Sequence, residues 1–210
     1  MAAEMLQRLA RDEDGAVLTE ALLALLTVIL ITAAAIEFTF VVFQFNQANK
    51  ALQVGSRLAS ISNPVDSGVL AAGSGGTLGG PPPTFSAITC TYSVQADSSD
   101  CDDLPAIRRI VRGGDGVCSR DFSGQSGMCD AFPTLAASGS VEITYDWAKL
   151  GYAGRPDGPV PVIRVAIRNV SFDLPVLGSI LGLAGITMPA FTTTSVAEDM
   201  SSTAPHIIPE

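Results

Sequence analysis

Between Glu20 and Glu37 the chain runs through sixteen residues, Ala21–Ile36, without one ionisable side chain. Those two glutamates are the only ionisable residues from Ala16 to Phe45. As a helix, residues 16–36 would span about 31 Å at ~1.5 Å per residue, close to the ~30 Å of a bilayer's hydrocarbon. The stretch is predicted to be one transmembrane helix. Phe38, Phe40, Phe43 and Phe45 carry the apolar pattern past Glu37. Nothing breaks it before Asn63-Pro64, where proline disfavours helix at the residue before it. A single helix over 16–62 is therefore expected, half in lipid and half outside. No second apolar run reaches the ~20 residues a span needs, which excludes a polytopic protein.

The outer half has a face. Ala48, Ala51, Leu52, Gly55, Leu58 and Ala59 fall at helical spacing, with Asn49, Lys50, Gln53, Ser56, Arg57 and Ser60 off that stripe. Small residues let a neighbouring surface approach closely. That surface is either the protein's own domain or the helix of another copy, and the two can use different faces.

With 210 residues the chain suits one domain and is too short for a multi-domain enzyme. Its 47% apolar content excludes disorder throughout. Twelve Lys+Arg against 21 Asp+Glu give a net charge of −9, the wrong sign for a phosphate backbone, so no nucleic acid is expected as partner. The lone histidine, His206, argues against His-rich metal sites and most His-dependent catalysis. Lys and Arg do not set the membrane orientation, because Arg8 and Arg11 flank one side and Lys50 and Arg57 the other. The cysteines are more informative. Cys90, Cys101, Cys118 and Cys129 all follow the helix, and an even number in an exported domain points to disulfides on an oxidising side. Three connectivities are possible, among them two adjacent loops of equal length and a nested pair, and the sequence does not choose between them. Zinc is disfavoured, because no Cys-x2-Cys spacing exists.

Beyond the helix, residues 63–85 form a Gly/Pro-rich linker or loop, with six Gly and four Pro between Asn63 and Pro83. Residues 86–210 then read as an exported β domain. Strands are expected over Ser86–Gln95, Ser140–Trp147, Val160–Phe172 and Met188–Val196, from alternating apolar residues. Asp97–Asp103 reads as an acidic turn, Leu104–Arg112 as a short helix with Pro105 near its start, and Gly113–Gly127 as loop. Leu174–Gly185 is apolar and Gly-rich but too short to span a membrane. Strands without helical crossovers imply an antiparallel sheet, and the fold class is α+β, a long N-terminal helix packed on a small sheet.

The first twenty residues carry the sharpest motif. A polar leader ends in Arg11-Asp-Glu-Asp-Gly15, then come Ala16-Val-Leu-Thr-Glu20 and the apolar run. This matches a type IV prepilin (class III) signal, with cleavage expected between Gly15 and Ala16 and residues 1–15 as leader. Glycine permits the close backbone approach a peptidase needs at a scissile bond. Glu20 then becomes the fifth residue of the mature chain. A carboxylate near the hydrocarbon edge is costly unless paired, and the freed α-amine of Ala16 is its natural partner. A rival route uses Ala33-Ala34-Ala35 as an ordinary signal-peptidase site and releases a domain starting at Ile36. The acidic leader (Glu4, Asp12, Glu13 and Asp14 against Arg8 and Arg11) and the continuing apolar pattern argue against it.

Taken together, the Gly15–Glu20 segment, the apolar helix, Ile36-Glu37-Phe38 and the run from Ala48 to Ser60 with Gly55-Ser56-Arg57-Leu58 resemble a TadE-like pseudopilin of the tight-adherence (Flp/type IVc) pilus system. A strand at Val160–Val170, the connector Leu174–Gly185 and a last strand running into Glu198-Asp199-Met200 fit the same family. Leu22 stands where the family often has an aromatic or other apolar residue. The resemblance implies a type IV pilin-like fold and a minor structural subunit, not an enzyme. It also implies a bacterial inner-membrane, single-pass location with the C-terminal domain periplasmic or extracellular. The implied partners are a prepilin peptidase, other pilin-like subunits and the pilus assembly platform, and Glu20 would set register during assembly.

Other signals weigh less. Asp97, Asp100, Asp102 and Asp103 offer oxygen ligands but lack the EF-hand glycine, so a solvated turn is expected. Asn169-Val170-Ser171 is a glycosylation pattern inside an expected strand. Trp147 reads as a core anchor, and Glu37 as a carboxylate near the outer interface. No catalytic, cofactor or metal site is predicted. Two alternatives remain: a single-pass membrane accessory subunit of a larger complex, and a secreted disulfide-bonded binding domain released after Ala35.

Overall fold

The computed structural model describes residues 13–73, 75–82, 84–119, 124–155, 160–172, 174, 176, 178–179, 182, 186–187, 189–197 and 200. It separates into two compact units. One comprises Met1–Val42 with Asp173–Gly185, and the other Phe43–Phe172 with Ile186–Glu210. Helix α1 (Glu13–Ile61) contributes to both. As described it begins at Glu13, inside the expected leader, and the Gly15–Ala16 bond lies within it.

In the first unit, α1 is apolar all round. From Val17 to Ile36 every side chain is exposed except the half-buried Ala33 and Ala34. This is the one helix among the described residues long and apolar enough to cross a membrane. Its apolar window has mean hydropathy 2.4 and is only 6% buried. Three threonines on this helix bond to its own carbonyls. Thr27 donates to Ala24 O (2.8 Å), Thr32 to Val28 O and Ile29 O (3.0 and 2.9 Å), and Thr39 to Ala35 O (2.8 Å). Back-bonding of this kind satisfies these three hydroxyls in an apolar surrounding.

In the second unit the same helix is one-sided. Ala48, Ala51, Leu52, Gly55, Leu58 and Ala59 are all buried, while Lys50, Gln53 and Arg57 are exposed. Ser56, expected off the stripe, is buried with it; its hydroxyl donates to Gln53 O (3.1 Å) and its own carbonyl accepts from Ser195 Oγ (3.3 Å). Gly55 sits close against Met128: a Cβ there would lie 2.5 Å from Met128 Sδ, so a larger residue would have to displace that side chain. Phe45 meets Phe191 edge-on at 4.7 Å. The stripe is thus occupied by the chain's own domain.

The sheet has five antiparallel strands in the order β2-β1-β3-β4-β7. These are β1 (Ile88–Ser93), β2 (Ser98–Ser99), β3 (Ser140–Leu150), β4 (Val160–Arg168) and β7 (Phe191–Val196). A separate pair, β5 (Ser171–Phe172) and β6 (Ile186–Thr187), is also antiparallel. Register puts Tyr92, Val141 and Ile167 in one row and Cys90, Ile143 and Val165 in the next, all buried. The opposite face carries Thr89 bonded to Thr144 (3.0 Å) and Arg168 in a fork on Glu142 (2.6 and 2.9 Å). That alternation is the signature of a sheet packed on one face and solvated on the other. The expected strand over Val160–Phe172 is divided at Asn169, whose φ of 60° no strand can accommodate.

Residues 63–85 are not all linker. They contain α2 (Ser67–Gly73), and Val65 and Val69 are fully buried. Two hydrogen bonds pin this segment: Val65 N–H donates to the buried Tyr145 hydroxyl (3.1 Å), and Asp103 N–H donates to Val65 O (3.1 Å). Burial pushes the Tyr145 hydroxyl up to about 12. The β domain also holds α3 (Leu104–Arg112) and two short helices, α4 (Met128–Ala131) and α5 (Leu135–Ser138).

Candidate functional site

The residues that could act on a membrane or a sister subunit lie on the first unit's helix. Every large side chain from Val17 to Ile31 is 38% or more exposed. Each leucine or isoleucine left in water forgoes about 1.5–3 kcal/mol of transfer free energy, so this surface requires an apolar neighbour. Glu20 lies on it, exposed, with no partner among the described residues. Gly15 and Ala16 precede it by one helical turn or so; their backbone is helical, and their side chains lie outside the described residues. The helix passes through Ala33-Ala34-Ala35 without interruption, so the alternative cleavage site is a continuous helical backbone.

Glu37 has a different environment. Its side chain is 5% exposed, while Ile36 and Phe38 on either side are each 70% exposed. Its carboxylate accepts a hydrogen bond from Val176 N–H, in the same unit. The expectation of a carboxylate at the outer interface therefore gains a partner that the helix pattern alone did not supply. A lone acid in an apolar helix was the available signal that some donor must meet it.

The cysteines pair as two equal loops, Cys90–Cys101 and Cys118–Cys129, each with Cα atoms 5.2 Å apart. Cys90, Cys101 and Asp100 cluster closely enough to suggest a metal site, but both sulfurs are consumed by the disulfide. The first loop closes the β1–β2 turn. The second is held by Asp130, buried at the start of α4, which accepts from Gly127 N–H (2.8 Å) and Ser119 N–H (3.0 Å). Burial raises the Asp130 carboxyl above its ordinary value, against the two amides that lower it.

The acidic turn is not simply solvated. Asp97 binds Arg108 in a fork (3.0 and 2.7 Å) and accepts from the Tyr92 hydroxyl (2.5 Å), which in turn accepts from Arg112 Nε (2.7 Å). The Tyr92 hydroxyl and then Arg108 hold the Asp97 carboxyl below its usual range. Asp100 accepts from Thr91 N–H, Asp102 from Ser67 Oγ (2.8 Å), and Asp103 caps α3 by accepting from Ala106 N–H (2.9 Å). The four carboxylates serve different partners and do not converge on one cation.

Trp147 packs against Phe85 at 5.2 Å, and its Nε1, like Gln44 Oε1, is buried without a hydrogen-bond partner among the described residues. An open cleft of ≈ 460 Å³ lies among Ser62, Asn63, Arg108, Arg109 and the 113–116 turn. Its acids are engaged locally, Asp103 in the α3 cap and Asp115 with Val117 N–H (3.0 Å). The sequon Asn169 lies on a turn at positive φ, with its side-chain amide on Ser140 Oγ (3.2 Å). His206, Glu198 and Asp199 fall outside the described residues.

No family model, curated protein or solved structure matches this chain.

Proposed function

We propose that the chain is a pilin-like structural subunit of the TadE-like kind, held in the bacterial inner membrane by residues 16–42 and carrying an exported, disulfide-bonded domain. The observation that carries this reading is a helix whose large apolar side chains from Val17 to Ile36 are all uncovered, with Glu20 exposed near its start and a Gly15–Ala16 bond one turn before it. Prepilin peptidase would cleave that bond. The helix would then pass from lipid into a bundle of sister helices, where apolar neighbours replace acyl chains and the transfer costs little. Glu20 would meet the α-amine of an adjacent Ala16 and fix register. The chain would act at the assembly platform as a minor subunit of an adhesive pilus, with a structural role and no catalysis.

N-terminal sequencing of the mature protein tests this first. A start at Ala16 supports the subunit reading. A start at Ile36 would mean a released domain, and an uncleaved chain a single-pass accessory subunit. Gly15→Leu is expected to block processing, read as an unshifted band on a gel. Glu20→Ala is expected to leave cleavage intact and impair incorporation; normal incorporation would sink the register role.

A further inference from the structure

The two edges of the five-stranded sheet are finished differently. At the β1 edge, β2 is two residues long, and the Cys90–Cys101 disulfide staples it on. Thr91 donates its N–H to the Asp100 carboxylate there and accepts from Asp100 N–H (3.2 Å). Short edge strands and local caps of this kind stop a sheet from growing. The β7 edge has neither. Phe191–Val196 is a strand of six residues with no charge and no proline, and its pairing with β4 runs without a register shift.

The ladder shows which amides of β7 are free. Ala197 N–H donates to Pro161 O (3.1 Å), so residue 197 faces β4, and the alternation of an antiparallel pair turns 195, 193 and 191 the same way. Thr192, Thr194 and Val196 therefore point N–H and C=O away from the sheet. All three are exposed, and no hydrogen bond joins them to any other group among the described residues. Three donors and three acceptors in a row, at strand spacing, fit one kind of ligand, another extended backbone.

The side chains of β7 suit a second β7. Paired antiparallel about Thr194, the strand sets Thr194 opposite Thr194, Thr192 opposite Val196 and Phe191 opposite Ala197 of the second copy. In that register all three outward amides of each strand are paired within β7, giving roughly six new N–H···O bonds. Threonine and β-branched pairs across strands are favourable, and the large Phe191 meets the smallest side chain of the set. The chain has a net charge of −9, and its uncharged edge lets two copies meet without repulsion. The neighbouring charge, the exposed Arg164 across from Thr194, would stand three strand spacings from its counterpart, about 14 Å and beyond the ~10 Å screening length.

We propose that the free edge of β7 is a docking site for a second copy of this chain, the two β7 strands joining two sheets into one. A contact of one strand on one strand is small, so the association is weak and reversible. The inference goes beyond the subunit reading and does not depend on it, since it uses no residue of the apolar helix.

The full chain is purified in detergent with its disulfides intact. All four native cysteines are bonded, so an introduced Cys is its one free thiol. Thr194→Cys is treated with a short bis-maleimide; the paired Cα atoms should lie about 5.5 Å apart, and a covalent dimer should form. Thr89→Cys, on the same solvated face but on β1, should give none, because seven strand spacings, about 34 Å, separate the two copies. Adding Thr192→Pro to Thr194→Cys removes one outward N–H per copy and no bond to β4. Dimer yield should fall roughly tenfold, the worth of two hydrogen bonds, with the melting curve unchanged. Thr193→Pro, whose N–H faces β4, should lower the melting temperature; an unchanged melt overturns the assignment of the free amides. A folded Thr194→Cys chain that stays monomeric overturns the proposal. Cross-linking equal at positions 89 and 194, or surviving Thr192→Pro, also overturns it and places the association elsewhere, as on the apolar helix. A 194 thiol shielded from maleimide in intact membranes, yet never linked to its own copy, assigns the edge to another protein's strand and overturns self-pairing.

Discussion

The two parts of α1 differ less in apolar content than in where that content goes. Residues 17–36 expose leucine, isoleucine and valine on all sides, while residues 48–59 bury alanine, glycine, serine and two leucines on one side. Large side chains extend a helix's apolar girth and suit a surrounding that closes around it. Small ones let a neighbouring side chain come close to the helix backbone, as Gly55 does with Met128. Side-chain size, more than hydrophobicity, separates the part that meets an outside solvent from the part that meets its own fold.

The sharpest way to break this comparison is to make one substitution in both places. Leu52→Ala, at 3% exposure, should cost the domain about 2–5 kcal/mol. Leu25→Ala, at 60% exposure, should leave domain unfolding unchanged within about 0.5 kcal/mol. Denaturant melts in detergent read both, and equal losses would dissolve the distinction. Replacing Cys118 and Cys129 together by Ser should cost about 3 kcal/mol from the loop of separation 11, with the helical signal of residues 17–36 retained. Loss of that signal would mean the apolar part depends on the domain. Tyr145→Phe leaves Val65 N–H buried without its acceptor and should cost about 1–3 kcal/mol in the same melts.

The smallest effect is set by pH. Asp97 is held below its unfolded value of 3.8, so the stability it contributes is present above that pH and fades as pH falls through its folded value. The difference between wild type and Asp97→Asn should therefore be flat from neutral pH to about 4 and shrink below 3.8. It should stay under about 1 kcal/mol, since the Asp97 and Arg108 side chains are 36% and 41% exposed. A difference that grew on acidification would contradict the ion pair's role.

Much of the fold was legible in the sequence, because its signals are local. Sixteen uncharged residues announce a helix, and alternation in Val141–Tyr145 and Val160–Ile167 announces half-buried strands. The small-residue stripe read the buried face of α1 except at Ser56, whose hydroxyl is satisfied within the helix and so tolerates burial. What stayed hidden depends on partners distant in sequence. Val65 and Val69 sit in a Gly/Pro-rich stretch, yet Tyr145, eighty residues on, recruits Val65 into the core. The disulfide pairing was open among three connectivities until the β1–β2 turn brought Cys90 to Cys101. The acids of the 97–103 turn looked solvated because Arg108, Tyr92 and Ser67 approach them only in the fold. The Glu37–Val176 bond joins residues 139 apart, and no local pattern could forecast it.

The threonines of the exposed helix carry a last consequence. Thr27, Thr32 and Thr39 each lend their hydroxyl to a carbonyl of their own helix. The surface these residues present outward is therefore chemically mute: it asks neither lipid nor protein for a hydrogen bond. Such a helix can exchange one apolar host for another without breaking a bond in the first or having to find one in the second. Its choice of surroundings is then left to shape and to whatever meets Glu20.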